Sequence, residues 1–258
     1  MVKTFIDSHA HLTAPEVFAS IDQILDRARL AHVSSILNIC TDPETLRQGI
    51  LLSSRHSHIQ NAGATTPHDV AIEGDSSFPI FEAAAREGKL RAIGETGLDY
   101  HYEHSPKELQ QRFLKRYLHL AISTRLPVIF HCREAFRDLF TIVDAEYKGS
   151  AILHCFTGSV QEAEEVLKRG WYLSLSGIVT FKKSESLRKI AKMVPLSQLL
   201  IETDTPYLAP ESHRGQPNEP SFLPETAQCI ASAKGVSLEE VSSATAENAK
   251  QLFGFRPT

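Results

Sequence analysis

Short apolar runs alternate with longer amphipathic stretches along this chain, and that alternation sets the first expectation. The strand-like runs cover residues 4–8, 34–40, 59–64, 90–95, 127–132, 151–155, 172–178 and 199–203. Between them, apolar residues at helical spacing predict helices over 17–31, 43–55, 78–88, 106–124, 134–147, 160–169 and 185–193. Asp42-Pro43-Glu44 has the form of a helix start, with an N-cap Asp, a Pro at the first helical position and an acid in the first turn. Ser105-Pro106-Lys107-Glu108 repeats the arrangement with a Ser cap. Gly88, Gly149 and Gly170 stand where helices should stop. From Phe222 onward the pattern predicts two further helices. Eight strands alternating with helices point to an α/β fold, a single (β/α)8 TIM barrel with extra C-terminal helices over residues 1–258. A doubly wound open sheet is the alternative, but no GxGxxG follows the first strand.

Composition narrows the setting. With 258 residues, 42% of them hydrophobic, the chain is long enough to bury a sizeable core. A formal net charge of -4 and a pI near 6.3 leave no global basic field, so any contact with nucleic acid has to be local. The opening MVKTFIDSHAH lacks the apolar region of a signal peptide, and no run reaches membrane-spanning length. The four cysteines, Cys40, Cys132, Cys155 and Cys229, form no CxxC pair and read as reduced thiols. The expectation is a soluble cytoplasmic enzyme with no membrane association and no obligate protein partner.

The expected strand ends carry the chemistry. His9 and His11 close the first strand, and their i, i+2 spacing puts both imidazoles on one face. Glu95 closes the fourth, His131 the fifth, His154 the sixth and Asp204 the eighth. In a barrel these residues converge at one mouth. A lone imidazole at a strand end is ordinary, but burying this whole group without an ion would cost several kcal/mol. Imidazole with carboxylate and no thiolate suits Zn²⁺, Mn²⁺, Fe²⁺ or Ni²⁺, and the carboxylates also suit Mg²⁺. Six donors exceed the three of a mononuclear catalytic zinc site, and they suit two divalent ions about 3.5–4 Å apart. Cys132 and Cys155 follow their histidines directly, and alternation sends them outward to the helix layer as packing residues.

In order, FIDSHAHL, GETGLDY, PVIFHCREA, LHCFTG and ETDTPYLAP followed by HRGQPNEP resemble the motifs of the TatD family of metal-dependent hydrolases, within the amidohydrolase-like superfamily. The resemblance runs from Phe5 to about Phe253. It implies that His9 and His11 hold the first metal with Asp204, that His131 and His154 hold the second, and that Glu95 bridges them. It also implies Mg²⁺-stimulated deoxyribonuclease activity at DNA 3′ ends or on single strands, while some relatives hydrolyse other esters, including D-aminoacyl-tRNA. One departure stands out: where the family often reads Gly-x-His-Pro-His, this chain has GATTPHD, so Thr66 replaces the first histidine and His68 keeps the second.

The mechanistic expectation is phosphodiester hydrolysis by a two-metal-activated water, with Asp204 as general base and Glu95 shared between the ions. Arg133 and Arg214 are phosphate candidates because a guanidinium matches phosphate oxygens bidentately. His68 and His213 are weaker candidates for substrate contact, with plain loop histidines as the alternative. Glu202 and Asp7 share strand parity with Asp204 and His9, which suits them either to fix imidazole tautomers or to serve as ordinary loop-facing polar residues. Tyr100, Tyr102, Phe156 and Tyr207 could stack on a base, with core or rim packing as the alternative. Lacking a basic face, the chain should hold one or two nucleotides at a terminus and bind long duplex weakly. Two rivals remain: a lactonase, amidase or D-aminoacyl-tRNA deacylase on the same scaffold, and a non-enzymatic interaction protein with a structural metal.

Overall fold

The computed structural model describes residues 4–255, so the outermost three residues at each end of the expected 1–258 domain lie outside the described residues. Eight strands form one sheet in chain order: β1 (Phe5–Ala10), β2 (Val33–Cys40), β3 (Ile59–Gly63), β4 (Ala92–Asp99), β5 (Val128–Arg133), β6 (Ala151–Leu153), β7 (Tyr172–Leu175) and β8 (Leu199–Ile201). Every neighbouring pair is parallel. The connections carry α1 (Pro15–Phe18), α2 (Ile21–Leu30), α3 (Pro43–Arg55), α4 (Gly74–Arg86), α5 (Lys107–Thr124), α6 (Phe136–Glu146), α7 (Val160–Lys168) and α8 (Glu185–Met193). Two more helices follow, α9 (Leu223–Lys234) and α10 (Leu238–Phe253). Sequential parallel order, with helices in the crossovers between neighbouring strands, is the topology of the expected TIM barrel. The seam between β1 and β8 closes just past the end of β8, where the Asp204 N–H donates to the His9 carbonyl (2.9 Å) and the His11 N–H to the Thr205 carbonyl (2.8 Å).

Burial on both faces explains why the strands read as apolar runs. Ile6, Leu37, Ile39, Ala62, Ile129, Ile152 and Leu200 fill the barrel interior, and Ala249, Leu252 and Phe253 of α10 pack against that cluster. A second, larger cluster lies between strands and surrounding helices, with Phe81, Phe113, Tyr117 and Leu139 fully buried in it. Each buried Leu or Ile contributes about 1.5–3 kcal/mol. That interior holds rigid the strands whose ends form the site.

Several boundaries differ from expectation. The helix expected over 17–31 is two, α1 and α2, broken at Ala19 and Ser20. Asp42 caps α3 as expected, accepting from the N–H groups of Glu44 (2.8 Å) and Thr45 (2.9 Å). Ser105 does not cap α5, because its hydroxyl is already used: it donates to the His68 carbonyl (2.7 Å) and accepts from the Ala71 N–H (3.1 Å). β4 runs four residues beyond its expected end at Glu95, to Asp99, so Glu95 stands mid-strand. At Gly97, φ is +149°, and an added Cβ would lie 1.9 Å from the His131 carbonyl oxygen. Only glycine allows β4 to lie this close to β5. β6 and β8 are shorter than expected, so His154 lies just past β6 rather than within it, and Asp204 stands in the turn that follows β8.

Candidate metal centre

The site is built from backbone geometry first. β1 alternation puts the His9 and His11 side chains on one face, and their Nε2 atoms lie 3.3 Å apart. Both point toward Glu95, which reaches in from β4. The carboxylate of Glu95 is divided: Oε2 lies 3.4 Å from His9 Nε2 and 3.7 Å from His11 Nε2, while Oε1 lies 3.1 Å from His131 Nδ1 and 3.3 Å from His154 Nε2. Asp204 comes from the turn after β8, and its Oδ1 lies 3.5 Å from both His9 Nε2 and His11 Nε2. The His9 and His154 rings stack at 3.9 Å with an interplanar angle of 7°. The six residues expected to meet at the barrel mouth do meet there.

Their electrostatics follow from burial and proximity. Burial pushes His9 down to about 4, with neighbouring His154 acting in the same direction. Burial also works against charge on His154, but Glu95 and Glu202 outweigh it and hold that ring well above the usual imidazole range. His11 and His131 are raised in the same way, burial being overcome by Asp204 and Glu95 for the first and by Asp99 and Glu95 for the second. Burial alone would protonate Glu95, yet His154, His131 and His9 keep its carboxyl well below the usual range.

The arrangement fits a divalent metal. His9, His11 and Glu95 offer donor atoms within 4.8 Å of one another, and Glu95, His131 and His154 do the same. The nitrogens facing each other across these groups pair only where one ring carries the facing proton and the other a lone pair, whereas a cation accepts a lone pair from each. Nδ1 of His9 and Nδ1 of His154 are buried without a hydrogen-bond partner. Neutral imidazoles that present Nε2 inward place a proton there.

Behind the donors lie further carboxylates. Asp99, fully buried at the end of β4, has Oδ2 2.8 Å from His131 Nε2, while its Oδ1 accepts from the N–H groups of His101 (3.0 Å) and Tyr102 (2.9 Å). Burial works against that charge, but His131 and these backbone donors keep Asp99 well below the usual carboxylate range. Asp99 is missing from the sequence-based candidates because β4 was expected to end at Glu95. Counting alternation through GETGLD puts residues 95, 97 and 99 on one face, and that was the available signal. Glu202 behaves as expected: Oε1 lies 3.4 Å from His154 Nδ1 and accepts from the Cys155 N–H (2.5 Å). Asp7 touches no imidazole side chain. It accepts from the Thr203 hydroxyl (2.6 Å), the Thr203 N–H (3.0 Å) and the His9 N–H (3.3 Å), and burial pushes its carboxyl up to about 7.

A pocket of about 1010 Å³ opens above the centre. Of the expected substrate contacts, Arg133 and His68 line it. Arg133 donates to the Tyr102 hydroxyl (3.1 Å), and its guanidinium carbon lies 4.7 Å from the centre of that ring. His68 Nε2 lies 3.6 Å from Asp99 Oδ2. Arg214 does not line the pocket; its guanidinium packs over the Phe181 ring at 4.3 Å. His213 is likewise occupied elsewhere, stacked on Phe222 at 3.7 Å and 2.7 Å from Glu225 Oε1. Of the aromatics, Tyr102 and Tyr207 stand half-exposed on the pocket, whereas Phe156 is core and the Tyr100 hydroxyl donates to Asp138. Cys132 packs against the core as expected, but Cys155 does not. The strand has ended, φ at Cys155 is +42°, and the thiol turns to within 3.3 Å of the Ser176 hydroxyl at the pocket wall. Thr66, standing where the family histidine is often found, lines the pocket and donates to Asp69 Oδ2 (2.8 Å). A smaller hollow of about 710 Å³ near Pro127 and Ser150 lies at the opposite ends of β5 and β6 and holds none of these donors.

Known proteins resemble the chain over nearly its whole length. The model of the family described as TatD related DNase matches residues 6–254. The uncharacterized metal-dependent hydrolase YabD of Bacillus subtilis is 36% identical, over 96% of this chain and 98% of that protein. A Citrobacter rodentium protein named 3′-5′ ssDNA/RNA exonuclease TatD is 32% identical, over 96% and 97%. The crystal structure of YJJV, a TatD homolog from Escherichia coli K12, superposes with a TM-score of 0.93 at 27% identity, covering 99% of this chain and 100% of that one. Agreement of this extent, in sequence and in fold, places the chain in the TatD-related DNase family of metal-dependent hydrolases.

Proposed function

We propose that the chain is a deoxyribonuclease that removes nucleotides from the 3′ ends of single-stranded or frayed DNA, with two divalent ions at the barrel mouth. The observation that carries this reading is the divided carboxylate of Glu95, one oxygen beside His9 and His11 and the other beside His131 and His154. His9, His11 and Asp204 would hold one ion, His131 and His154 the other, and Glu95 both. Mg²⁺, Mn²⁺ and Zn²⁺ all suit this set. Bound there, such ions supply an acidified water and positive charge for a nonbridging phosphate oxygen. The name of the Citrobacter rodentium relative supports a nucleic-acid substrate.

The chain's own residues divide the remaining work. Asp204 lines the pocket as well as facing the two β1 imidazoles, so its carboxylate is placed to accept the proton of the attacking water. Asp99 and Glu202 keep His131 and His154 oriented. Arg133 is the one Arg or Lys among the described residues that line the pocket, and it would contact a phosphate oxygen beside the bond that breaks. With one such cation and a net charge of -4, the footprint is short.

Protein stripped of metal and then supplied with Mg²⁺, Mn²⁺ or Zn²⁺ tests the reading against 3′-labelled single-stranded DNA, a lactone panel and D-aminoacyl-tRNA. Metal-restored release of nucleotides from the 3′ end is the expected result. Metal-dependent turnover of a lactone or of D-aminoacyl-tRNA, with none on DNA, overturns it.

A further inference from the structure

The rim of the pocket is electrically lopsided. Barrel order places the loops after β3, β4 and β5 on one arc, and these carry His68, Tyr102, His104 and Arg133. The four side chains are contiguous. The His68 ring lies 5.3 Å from His131, 5.8 Å from Tyr102 and 5.4 Å from His104, and Arg133 donates to the Tyr102 hydroxyl. This arc offers a fixed cation, N–H donors and an aromatic ring that is 51% exposed, and the carboxylate it also carries, Asp69, accepts from the Thr66 hydroxyl. The facing arc, after β1 and β2, carries Glu16 and Asp42. Glu16 is exposed on α1 and forms no ion pair with another of the described residues, and Asp42 points its carboxylate at backbone N–H groups of α3 rather than at a basic side chain. Tyr207, 53% exposed and 5.9 Å from the His11 ring, stands on this acidic side.

We propose that this asymmetry makes the enzyme require a chain end: the His68–Tyr102–His104–Arg133 arc holds the continuing strand, and Glu16 and Asp42 repel any phosphate beyond the departing nucleotide. The inference rests on the nuclease reading above. Phosphate oxygens and bases of the retained strand meet Arg133 and the Tyr102 ring, which is how sequence-tolerant single-strand binding is built. The departing nucleotide lies toward Tyr207, where a neutral base and sugar are accommodated. A further phosphate on that side would face two carboxylates with no cation to screen them. An internal bond therefore sits badly over the metal centre, while a terminal one sits well.

The test compares linear single-stranded DNA with a 3′ hydroxyl, the same oligonucleotide with a 3′ phosphate, circular single-stranded DNA, and bis(p-nitrophenyl) phosphate as a probe of the chemistry alone. The variants are Glu16→Gln with Asp42→Asn, since Asn caps a helix about as well as Asp, and Glu16→Lys. We expect the parent to prefer the 3′ hydroxyl, and each variant to gain about tenfold on the 3′-phosphate and circular substrates, with bis(p-nitrophenyl) phosphate turnover unchanged. On the other arc, Tyr102→Ala and Arg133→Gln should weaken binding of a labelled oligonucleotide, read by anisotropy in chelator, about tenfold each. Unchanged discrimination in both acidic-arc variants, with normal chemistry on the small diester, overturns the inference. A parent that cleaves the small diester but no nucleic acid instead overturns the nuclease reading on which it stands.

Discussion

The two halves of the metal centre are held in different ways. On the β5–β6 side, each imidazole has a buried carboxylate behind it: Asp99 at 2.8 Å from His131 Nε2 and Glu202 at 3.4 Å from His154 Nδ1. On the seam side the backing is looser: no carboxylate of the described residues lies behind His11, and Glu202 reaches His9 only in the group it forms with His154. His9 Nδ1, like His154 Nδ1, has no hydrogen-bond partner among the described residues, and the positions of His9, His11 and Asp204 are fixed by main-chain hydrogen bonds between the ends of β1 and β8. A carboxylate behind an imidazole fixes its tautomer and raises its basicity. Main-chain bonding fixes position alone. The β5–β6 half should therefore be the tighter binding half, and the seam half the more adaptable one, beside the group that accepts the proton.

Glu95 belongs to both halves, so its loss should have the largest effect. Glu95→Gln removes the charge that four imidazoles surround, and turnover should fall to background with metal content reduced in both halves. Elemental analysis of dialysed protein checks this; a variant that keeps its full metal complement would show that the halves are independent. Asp204→Asn comes next and separates position from chemistry. Turnover should drop about 10²–10⁴-fold as general-base assistance is lost, while most metal stays bound. A parent-like rate would take proton transfer away from the seam half.

The β5–β6 half has its own test. Asp99→Asn and Glu202→Gln should each weaken metal binding about 10–100-fold, measured by competition with a chelator. Unchanged affinity in both variants would erase the difference between halves.

How readable this centre was in the sequence follows the same division. Parallel strands buried on both faces leave apolar runs, and the donors sit where those runs end, so both the barrel and the six converging residues were legible. Asp99 was not, because the strand was expected to stop at Glu95, four residues short of where β4 ends. Arg214 and His213 looked like pocket residues by motif, but the stacking that draws them onto Phe181 and Phe222 depends on residues distant in sequence. The C-terminal helices were visible as helices, yet nothing local announced that α10 packs on the barrel interior. Pattern reports what a segment is, while long-range packing decides which way its side chains face.

The smallest expected effect concerns the seam's outer support. Asn218 donates to the carbonyls of Thr203 and Tyr207, both at 2.7 Å, and so braces the turn that carries Asp204. The next residue, Glu219, is gripped by Arg27 of α2 through Nε (2.8 and 2.9 Å) and Nη2 (2.5 Å). Burial opposes the Glu219 charge, but Arg27 and Ser221 more than compensate and hold its carboxyl below the usual range. A carboxylate lowered on folding stabilises the protein fully above its unfolded value, near about 4.3, and that contribution is lost as pH falls through the folded value. The Arg27 side chain is 48% exposed, so solvent limits the pair to at most about 1 kcal/mol. Urea unfolding should show Arg27→Ala less stable than the parent by up to that amount at pH 7, with the gap closing below about pH 4. A gap that persists in acid would assign the contribution to packing of the arginine stem, leaving the main-chain bonds at the seam without an ionic brace.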